Sequence, residues 1–252
     1  MQSEEDRLPR EKDGSINLKT LAKDKIWKDE ILTFPDPKNH RGICAVTEEM
    51  PLHLLYSAYM QGIFPWFCED RGEPVIWYSP EPRFCIFKEN FHVPKSISRF
   101  LKHTPYTYTI DKCFTRVMEE CRDMQRAGQS ETWIGPKMIE TYTALHKAGY
   151  AHSVEVWQED ELVGGFYGEL FGSIFCGESM FTKASDSSKS AFVLFAKAFF
   201  EAGGQLIDSQ VYTDNIARYG ATNISRLAFL RLEKEFLHKP LEKDIKEFFD
   251  KV

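Results

Sequence analysis

The chain has 252 residues, of which 42 % are hydrophobic, enough apolar material for a sizeable buried core. Its formal net charge of −6 argues against a protein that coats nucleic acid through bulk positive charge. No apolar run approaches the roughly 20 residues that span a bilayer, and the six cysteines contain no CxxC pair. We therefore expect a soluble cytoplasmic protein without metal, cofactor or disulfide framework, and with neither a membrane nor DNA as partner.

The first part of the chain predicts an extension, a helix and two strands. Residues 1–33 are rich in charge and predict a solvated, partly ordered tail. The segment PLHLLYSAYMQG, from residue 51, predicts a short helix between a proline and a glycine. It leads into the turn GIFPWF at 62–67, and VIWYSPEPRFCIF then predicts two strands around a Pro-Glu-Pro turn.

Two side chains in this part have two interpretations each. Trp66 is either a core anchor or a stacking surface for an unpaired base. Arg83 directly follows the Pro-Glu-Pro turn, where it suits either a clamp for a phosphate or carboxylate or a surface ion pair.

The middle of the chain predicts helices and a strand. Residues 94–104 form a basic helical piece, and YTYTI at 106–110 alternates like a strand. The segment 111–128 predicts a helix with an aspartate at its start and a glycine at its end, and Pro136 suits the first turn of the next helix.

The stretch from His152 to Gln210 predicts three strands, a long helix and a further strand. Polar residues 158–161 suit the first hairpin turn, and the helix within 185–204 begins with capping serine and aspartate and ends at a glycine pair. Glu178 stands in the apolar third strand. Because desolvating a carboxylate is costly, it is either exposed on one face or buried where it is paired or protonated.

The strand after the helix, QLIDSQV, carries polar residues at alternate positions. Since side chains on a strand alternate between faces, we expect Asp208 and Gln210 to point to one side and Ser209 to the other. The pair is either structural or part of a site. A final helix follows from about Ser225 to Leu237, and the lysine-rich end from Lys239 onward predicts a peripheral segment.

Six motifs resemble the leucyl/phenylalanyl-tRNA–protein transferase family: GIFPWF, WYSPEPR at 77–83, TWI at 132–134, GESMF, the serine-lysine opening of the long helix, and LIDSQ. The resemblance covers about residues 34–236, in order. The chain departs from the family pattern at Tyr78, usually tryptophan, at Ser209, usually cysteine, and at residues 47–50, where the family usually has G-G-D-L.

The resemblance implies an α+β fold with a GNAT-like acyltransferase core in the C-terminal half and a smaller N-terminal α/β domain. We expect a polar N-terminal extension at 1–33, an N-terminal domain at 34–105 and a GNAT-like catalytic domain at 106–252. The loop TKASDSSKS lacks the glycines that usually hold coenzyme A phosphates in GNAT folds, so coenzyme A is a poor fit as donor.

The implied reaction moves leucine or phenylalanine from the 3′ aminoacyl end of Leu-tRNA or Phe-tRNA to the α-amino group of proteins that begin with arginine or lysine. This marks the acceptor for degradation through the N-degron pathway. Chemically it is aminolysis of an ester. Because an α-amine has a reference pKa of about 7.7–8.0, no strong base is needed.

The resemblance also implies roles for individual residues. Asp208 orients the attacking amine and relays its proton, Gln210 bonds the ester or the departing ribose hydroxyl, and Glu178 holds the donor's α-ammonium group or helps to shape the site. Trp66 lies at the site of the terminal adenosine, and Trp133 lies beside the aminoacyl-tRNA end. From its charges alone, the basic segment 94–104 is either a solvated face or a contact for the acceptor stem. Arg83 is a third candidate for binding the tRNA end.

An apolar pocket would select the donor amino acid. Its expected members are Phe166, Met180, Phe192, Phe195 and Ile207, for which ordinary core packing is the alternative. The acidic partner of the acceptor's basic side chain stays open between Glu155, Glu169 and others.

Three alternatives compete with this interpretation. One is a transferase with the same donor but with an acidic N-terminus or a cell-wall peptide as acceptor. Another is a non-catalytic protein that binds the tRNA end, which the presence of Glu178, Asp208 and Gln210 disfavours. The third is a coenzyme A acetyltransferase, which the glycine-free loop disfavours.

Overall fold

The computed structural model describes residues 8–11, 15–16, 18–21, 25–37, 42–67, 72–124 and 132–249. Its strands are β1 (Ile43–Thr47), β2 (Phe64–Trp66), β3 (Val75–Tyr78), β4 (Arg83–Phe87), β5 (Thr107–Ile110), β6 (Ala151–Gln158), β7 (Glu161–Phe171), β8 (Ile174–Thr182), β9 (Leu206–Asp208) and β10 (Thr222–Ile224). Its helices are α1 (Leu52–Tyr59), α2 (Lys95–Phe100), α3 (Phe114–Asp123), α4 (Pro136–Lys147), α5 (Ser187–Glu201), α6 (Asp214–Ala217), α7 (Arg226–Phe236) and α8 (Lys246–Phe249).

The strands form two sheets. The larger has the order β10-β4-β9-β8-β7-β6-β5 and the smaller the order β1-β3-β2. All pairs are antiparallel except β8 with β9, which helix α5 connects as a crossover. The predicted series of three strands, one long helix and one strand is therefore confirmed, and the fold is α+β.

A shared core joins the two sheets, and β4, which follows β3 in the chain, belongs to the large one. Strand β4 lies between β9 and β10 of the large sheet, although it comes from the part of the chain expected to form the N-terminal domain. One buried cluster extends from Leu55 on α1 and Trp77 on β3 to Tyr142 on α4 and Tyr167 on β7.

Helix α5 builds a second core on the opposite face of the large sheet. Phe192, Phe195 and Phe199, spaced three and four residues apart, lie on its inner side and are buried. Ile245 and Phe249 belong to the same cluster, so the prediction of a peripheral C-terminal segment is wrong. Two apolar side chains within a lysine-rich sequence are enough to anchor it.

The N-terminal segment also packs more closely than predicted. Trp27 is buried, and the backbone of residues 27–34 is hydrogen-bonded to His53 and Ser57 on α1 and to Gln61 in the turn after it. Because this segment contributes its backbone groups to these hydrogen bonds, its charge-rich side chains did not reveal the contact. The expectation of a solvated tail is therefore wrong for these residues.

Some expectations fall outside the described residues or need adjustment. Residues 125–128 of the helix predicted at 111–128 are not described, and neither is Cys68. The other five cysteines are free thiols. Asp186 stands at the start of α5 with a φ of 55° and its side chain makes no capping hydrogen bond. Across the described ranges, no helix combines the length and apolar character needed to cross a membrane.

Candidate active site

A cavity of about 460 Å³ opens where β8 and β9 separate. The two strands pair only from Ile174–Leu206 to Cys176–Asp208. Beyond this point β8 continues to Thr182, whereas the chain after Asp208 bonds to β4 on its other side through Ser209 and Gln210. The predicted site residues that line the cavity are Trp66, Trp133, Phe166, Glu178, Met180, Phe192 and Gln210.

Glu178 owes its position to a β-bulge in β8. Tyr167 on β7 pairs with Ser179 and Gly168 pairs with Gly177, so Glu178 is the extra residue between them. A bulge interrupts the regular alternation of side chains and re-aims the bulged one. Glu178 therefore projects from the strand edge into the polar end of the cavity.

Two neutral groups donate hydrogen bonds to Glu178. Its Oε1 accepts from the hydroxyl of Tyr59 at 2.8 Å and from Nε2 of Gln210 at 2.7 Å. Burial raises the pKa of Glu178 to about 7, although the Tyr59 hydrogen bond lowers it. Tyr59 and Tyr142 share a further hydrogen bond of 2.7 Å. The sequence alone did not identify either tyrosine as part of the site. Tyr59 lies three residues before the GIFPWF motif, and this proximity could have indicated its role.

Asp208 lies beneath the cavity and forms a buried ion pair with Arg83. Its Oδ1 accepts from Nε of Arg83 at 2.8 Å and its Oδ2 from Nη2 at 2.5 Å, and both side chains are at most 2 % exposed. Neither residue lines the cavity. Direct contact of Asp208 with an attacking amine is therefore not compatible with this arrangement.

Arg83 is fully engaged with protein groups. Its Nη1 donates to the carbonyl oxygen of Gly62, and its guanidinium lies between the rings of Phe64 and Phe229 at 5.1 and 4.3 Å. The prediction that Arg83 binds the tRNA end is corrected by this burial. A guanidinium enclosed by two rings and a carboxylate has no face left for a phosphate.

Gln210 reaches the site by a turn, because the strand ends earlier than predicted. Strand β9 stops at Asp208, and Gln210 has a φ of 57°, in the left-handed region that non-glycine residues seldom occupy. Its backbone N–H donates to Oδ1 of Asp208 at 2.9 Å. Asp208 thus fixes the turn that presents the Gln210 amide to Glu178.

The other end of the cavity is apolar. Three of the five residues predicted for the donor pocket line it: Phe166, Met180 and Phe192. Phe195 and Ile207, predicted as further members, lie behind this wall. The ring of Phe195 packs against Phe166 at 5.4 Å, and Ile207 is completely buried.

Two tryptophans stand where the cavity meets solvent. Trp66 is 49 % exposed and packs edge-on against Tyr78 at 6.0 Å. Trp133 is half-buried and contributes to the same cavity wall. The exposed ring of Trp66 fits a stacking surface better than a core anchor.

Glu155 is one of the carboxylates considered as the partner of the acceptor's basic side chain. Its position excludes it from the site. It is buried on β6 and accepts hydrogen bonds from the hydroxyls of Ser153 and Thr109 and from the backbone N–H groups of Lys112 and Cys113. Its contacts join β5, β6 and the start of α3, away from the cavity.

Two family models match the chain. The model described as leucyl/phenylalanyl-tRNA protein transferase matches residues 85–234, and the one described as its N-terminal domain matches residues 50–81.

Curated relatives include a leucyl/phenylalanyl-tRNA–protein transferase from Myxococcus xanthus, 43 % identical over 84 % of this chain and 89 % of its own length. A second, from Yersinia pestis, is 42 % identical over 82 % of this chain and 88 % of its own length.

Among solved structures, a GCN5-related N-acetyltransferase from Kribbella flavida aligns with a TM-score of 0.36 at 12 % identity, over 68 % of this chain and 60 % of that one. The L-PGS structure from Bacillus licheniformis aligns with a TM-score of 0.37 at 12 % identity, over 68 % and 56 % of the two chains. The family models and the curated relatives agree over most of the chain. The chain therefore belongs to the leucyl/phenylalanyl-tRNA–protein transferase family.

Proposed function

We propose that the protein transfers leucine or phenylalanine from the 3′ end of an aminoacyl-tRNA to the α-amino group of proteins that begin with arginine or lysine. The observation that carries the proposal is the cavity between β8 and β9, which joins the hydrogen-bonded Glu178 and Gln210 to an apolar wall. A leucyl or phenylalanyl ester has matching parts, since its polar ammonium and ester groups stand next to an apolar side chain.

The reaction forms one amide bond and breaks one ester bond. The neutral amine of the acceptor attacks the ester carbonyl, loses a proton, and the ribose oxygen leaves with a proton. Because the pKa of an α-amine is about 7.7–8.0, a useful fraction of it is neutral near pH 7. The protein's task is to orient the amine and to accept its hydrogen bond during attack.

Gln210 is the group we assign to the attacking amine. Its Nε2 donates to Glu178, so its Oε1 is the amide atom that can accept a hydrogen bond from the amine. Asp208 acts as a positioning residue, through the Gln210 backbone that it holds. Ser209 lines the cavity with a hydroxyl where the family usually has a thiol, and a thioester route through this position is therefore disfavoured.

Glu178 is assigned to the donor's α-ammonium group, since it is the acidic side chain among the described residues of the cavity wall. The donor side chain then lies against Phe166, Met180 and Phe192. Trp66 and Trp133 stack on the terminal adenosine, and the basic segment 94–104 contacts the acceptor stem. Transfer takes place in the cytoplasm, where it marks the acceptor for degradation.

The test is transfer of radiolabelled phenylalanine and leucine from charged tRNA to reporter proteins that begin with arginine, lysine or glutamate. We expect label on the two basic reporters, and a loss of about a hundredfold or more in Gln210→Ala, as for the loss of a group that orients a reactant. Gln205→Ala is the matched control, because Gln205 is exposed just before β9 and its side-chain amide donates to the Gly203 carbonyl, away from the cavity.

The other outcomes separate the alternatives. Label on the glutamate reporter would keep the donor chemistry and overturn the proposed acceptor. Binding of charged tRNA without any transfer would point to a non-catalytic protein that binds the tRNA end.

A further inference from the structure

Glu169 is a buried carboxyl next to the proposed site for which the reaction above has no role. It lies on β7 opposite Cys176, which in turn lies opposite Asp208 on β9. Directly paired residues project to the same face of a sheet, and neighbouring strands are about 4.8 Å apart. Glu169 and Asp208 therefore share one face, two strands or roughly 10 Å apart.

The surroundings of Glu169 supply little to satisfy a charge. The side chain is completely buried, and within the described chain neither carboxyl oxygen has a hydrogen bond of ordinary geometry. Its neighbours are the carboxyl of Glu178 on β8 and the hydroxyl of Tyr59 on α1. Glu169 is thus enclosed behind the residue that lines the cavity.

The two carboxyls cannot both be ionised without a large penalty. Burial raises the pKa of Glu169 well above its usual range, and the nearby Glu178 raises it further. The other titratable groups that face the pair are Tyr59 on α1, Tyr142 on α4, Cys176 on β8, Asp208 on β9 and Arg83 on β4. Among the described groups that face the pair, Arg83 is the cation, and it is already paired with Asp208.

We propose that Glu169 is a positioning residue whose protonated carboxyl faces Glu178 and keeps the single negative charge of the pair on Glu178, where it binds the donor's α-ammonium group. A protonated carboxyl is a hydrogen-bond donor, and a hydrogen bond to the ionised form of a neighbour favours that form. This inference rests on the proposed function of the cavity.

The test is the pH profile of kcat/KM for transfer from Phe-tRNA to an arginine reporter, between pH 5.5 and 8.5. Glu169→Leu removes the donor. We expect the acidic limb of its profile to move upward by about one pH unit, the size of one hydrogen bond to a charged group. Activity would then be about tenfold lower near pH 6 and close to the unmodified protein at pH 8.5. The loss should appear in KM for Phe-tRNA rather than in kcat.

Glu169→Gln keeps a donor of the same shape that cannot ionise. We expect its acidic limb to coincide with that of the unmodified protein, which also makes it the variant to rely on if Glu169→Leu does not fold. Glu155→Gln is the control, because it alters a buried carboxyl of the same sheet away from the cavity. It should leave the shape of the profile unchanged.

Each remaining outcome overturns the inference. An unchanged profile in Glu169→Leu, or an equal loss at every pH, would reduce Glu169 to a packing residue. A tenfold loss at all pH values in Glu169→Gln would mean that its own charge binds the substrate. If the unmodified protein transfers nothing, the proposed function fails first and this inference with it.

Discussion

At the scale of single residues, Asp208 and Arg83 show how a motif residue supports a site without facing it. The pair is buried, and loss of one partner from a buried ion pair typically destabilises a protein by about 3–5 kcal/mol. Asp208 also holds the left-handed turn at Gln210. A loss of activity in an Asp208 variant would therefore arise from the displaced Gln210 amide, even if no substrate atom contacts Asp208.

The prediction on donor selectivity concerns Phe192. Its ring is buried, lines the apolar end of the cavity, and packs against Phe166 and Tyr219 at 6.0 and 4.8 Å. Phe192→Leu shortens this wall and makes room for a larger donor side chain. We expect the ratio of kcat/KM for Phe-tRNA to that for Leu-tRNA to rise by roughly tenfold, the usual size of such pocket effects.

Phe199→Leu is the matched control for Phe192. It makes the same change two turns further along α5, in the core and away from the cavity. It should lower stability and leave the ratio unchanged. An equal ratio in the unmodified protein and in both variants would show that Phe192 does not contact the donor side chain.

At the scale of elements, α1 links the N-terminal segment to the site. One side of the helix and the turn after it, formed by His53, Ser57 and Gln61, holds the backbone of residues 27–34. The last residue of the helix, Tyr59, donates to Glu178. The position of that hydroxyl therefore depends on how firmly α1 is held.

His53 makes this attachment sensitive to pH. Its Nδ1 accepts from the N–H of Trp27 at 3.2 Å and its Nε2 bonds the carbonyl oxygen of Glu30 at 2.8 Å, which requires the neutral ring. Burial lowers the pKa of His53 below its usual 6.5, although Glu30 opposes this. The folded protein then binds fewer protons than the unfolded chain, so this contribution to stability is complete above about pH 6.5 and is lost as pH falls.

We expect the free energy of unfolding to fall more between pH 7.5 and pH 5.5 in the unmodified protein than in His53→Gln, which does not titrate. Urea unfolding at the two pH values measures this. The other titrating groups are common to both proteins, so their effects cancel in the comparison. Equal changes with pH would show that His53 does not titrate in this range.

At the scale of the whole molecule, the C-terminal segment closes the core over α5. Ile245 and Phe249 are buried there, and the backbone N–H of Glu242 donates to the carbonyl of Ala202 at the end of the helix. Lys246 adds an ion pair with Asp111 at 3.1 Å. The core that backs the apolar cavity wall is therefore completed by the last described residues of the chain.

Ile245→Ala tests this closure. Removal of a buried isoleucine side chain leaves a cavity and typically destabilises a protein by about 2–5 kcal/mol. Leu227→Ala, at a residue 60 % exposed on α7, should stay within about 0.5 kcal/mol. Urea unfolding of both variants measures the change in the free energy of unfolding. A small effect of Ile245→Ala would support the peripheral C-terminal segment that the sequence predicts.

The sequence by itself determined the family and the main elements from β6 to α5, because both depend on local patterns. Period two identified β6 and β7, helical spacing identified α5, and the short motifs carried the resemblance. It also predicted Glu178, Gln210, Phe166 and Phe192 as site residues, and all four line one cavity in the structure.

Only the tertiary structure decided which of these side chains reach the cavity. The bulge at Glu178, the early end of β9 and the burial of Arg83 depend on strand pairing between segments far apart in the chain. Tyr59 and Glu169, the neighbours of Glu178, come from α1 and β7. The pattern along β8 therefore could not reveal them. A pattern along one strand gives the face on which a side chain lies, whereas its charge state and role follow from what the neighbouring strands and helices bring against it.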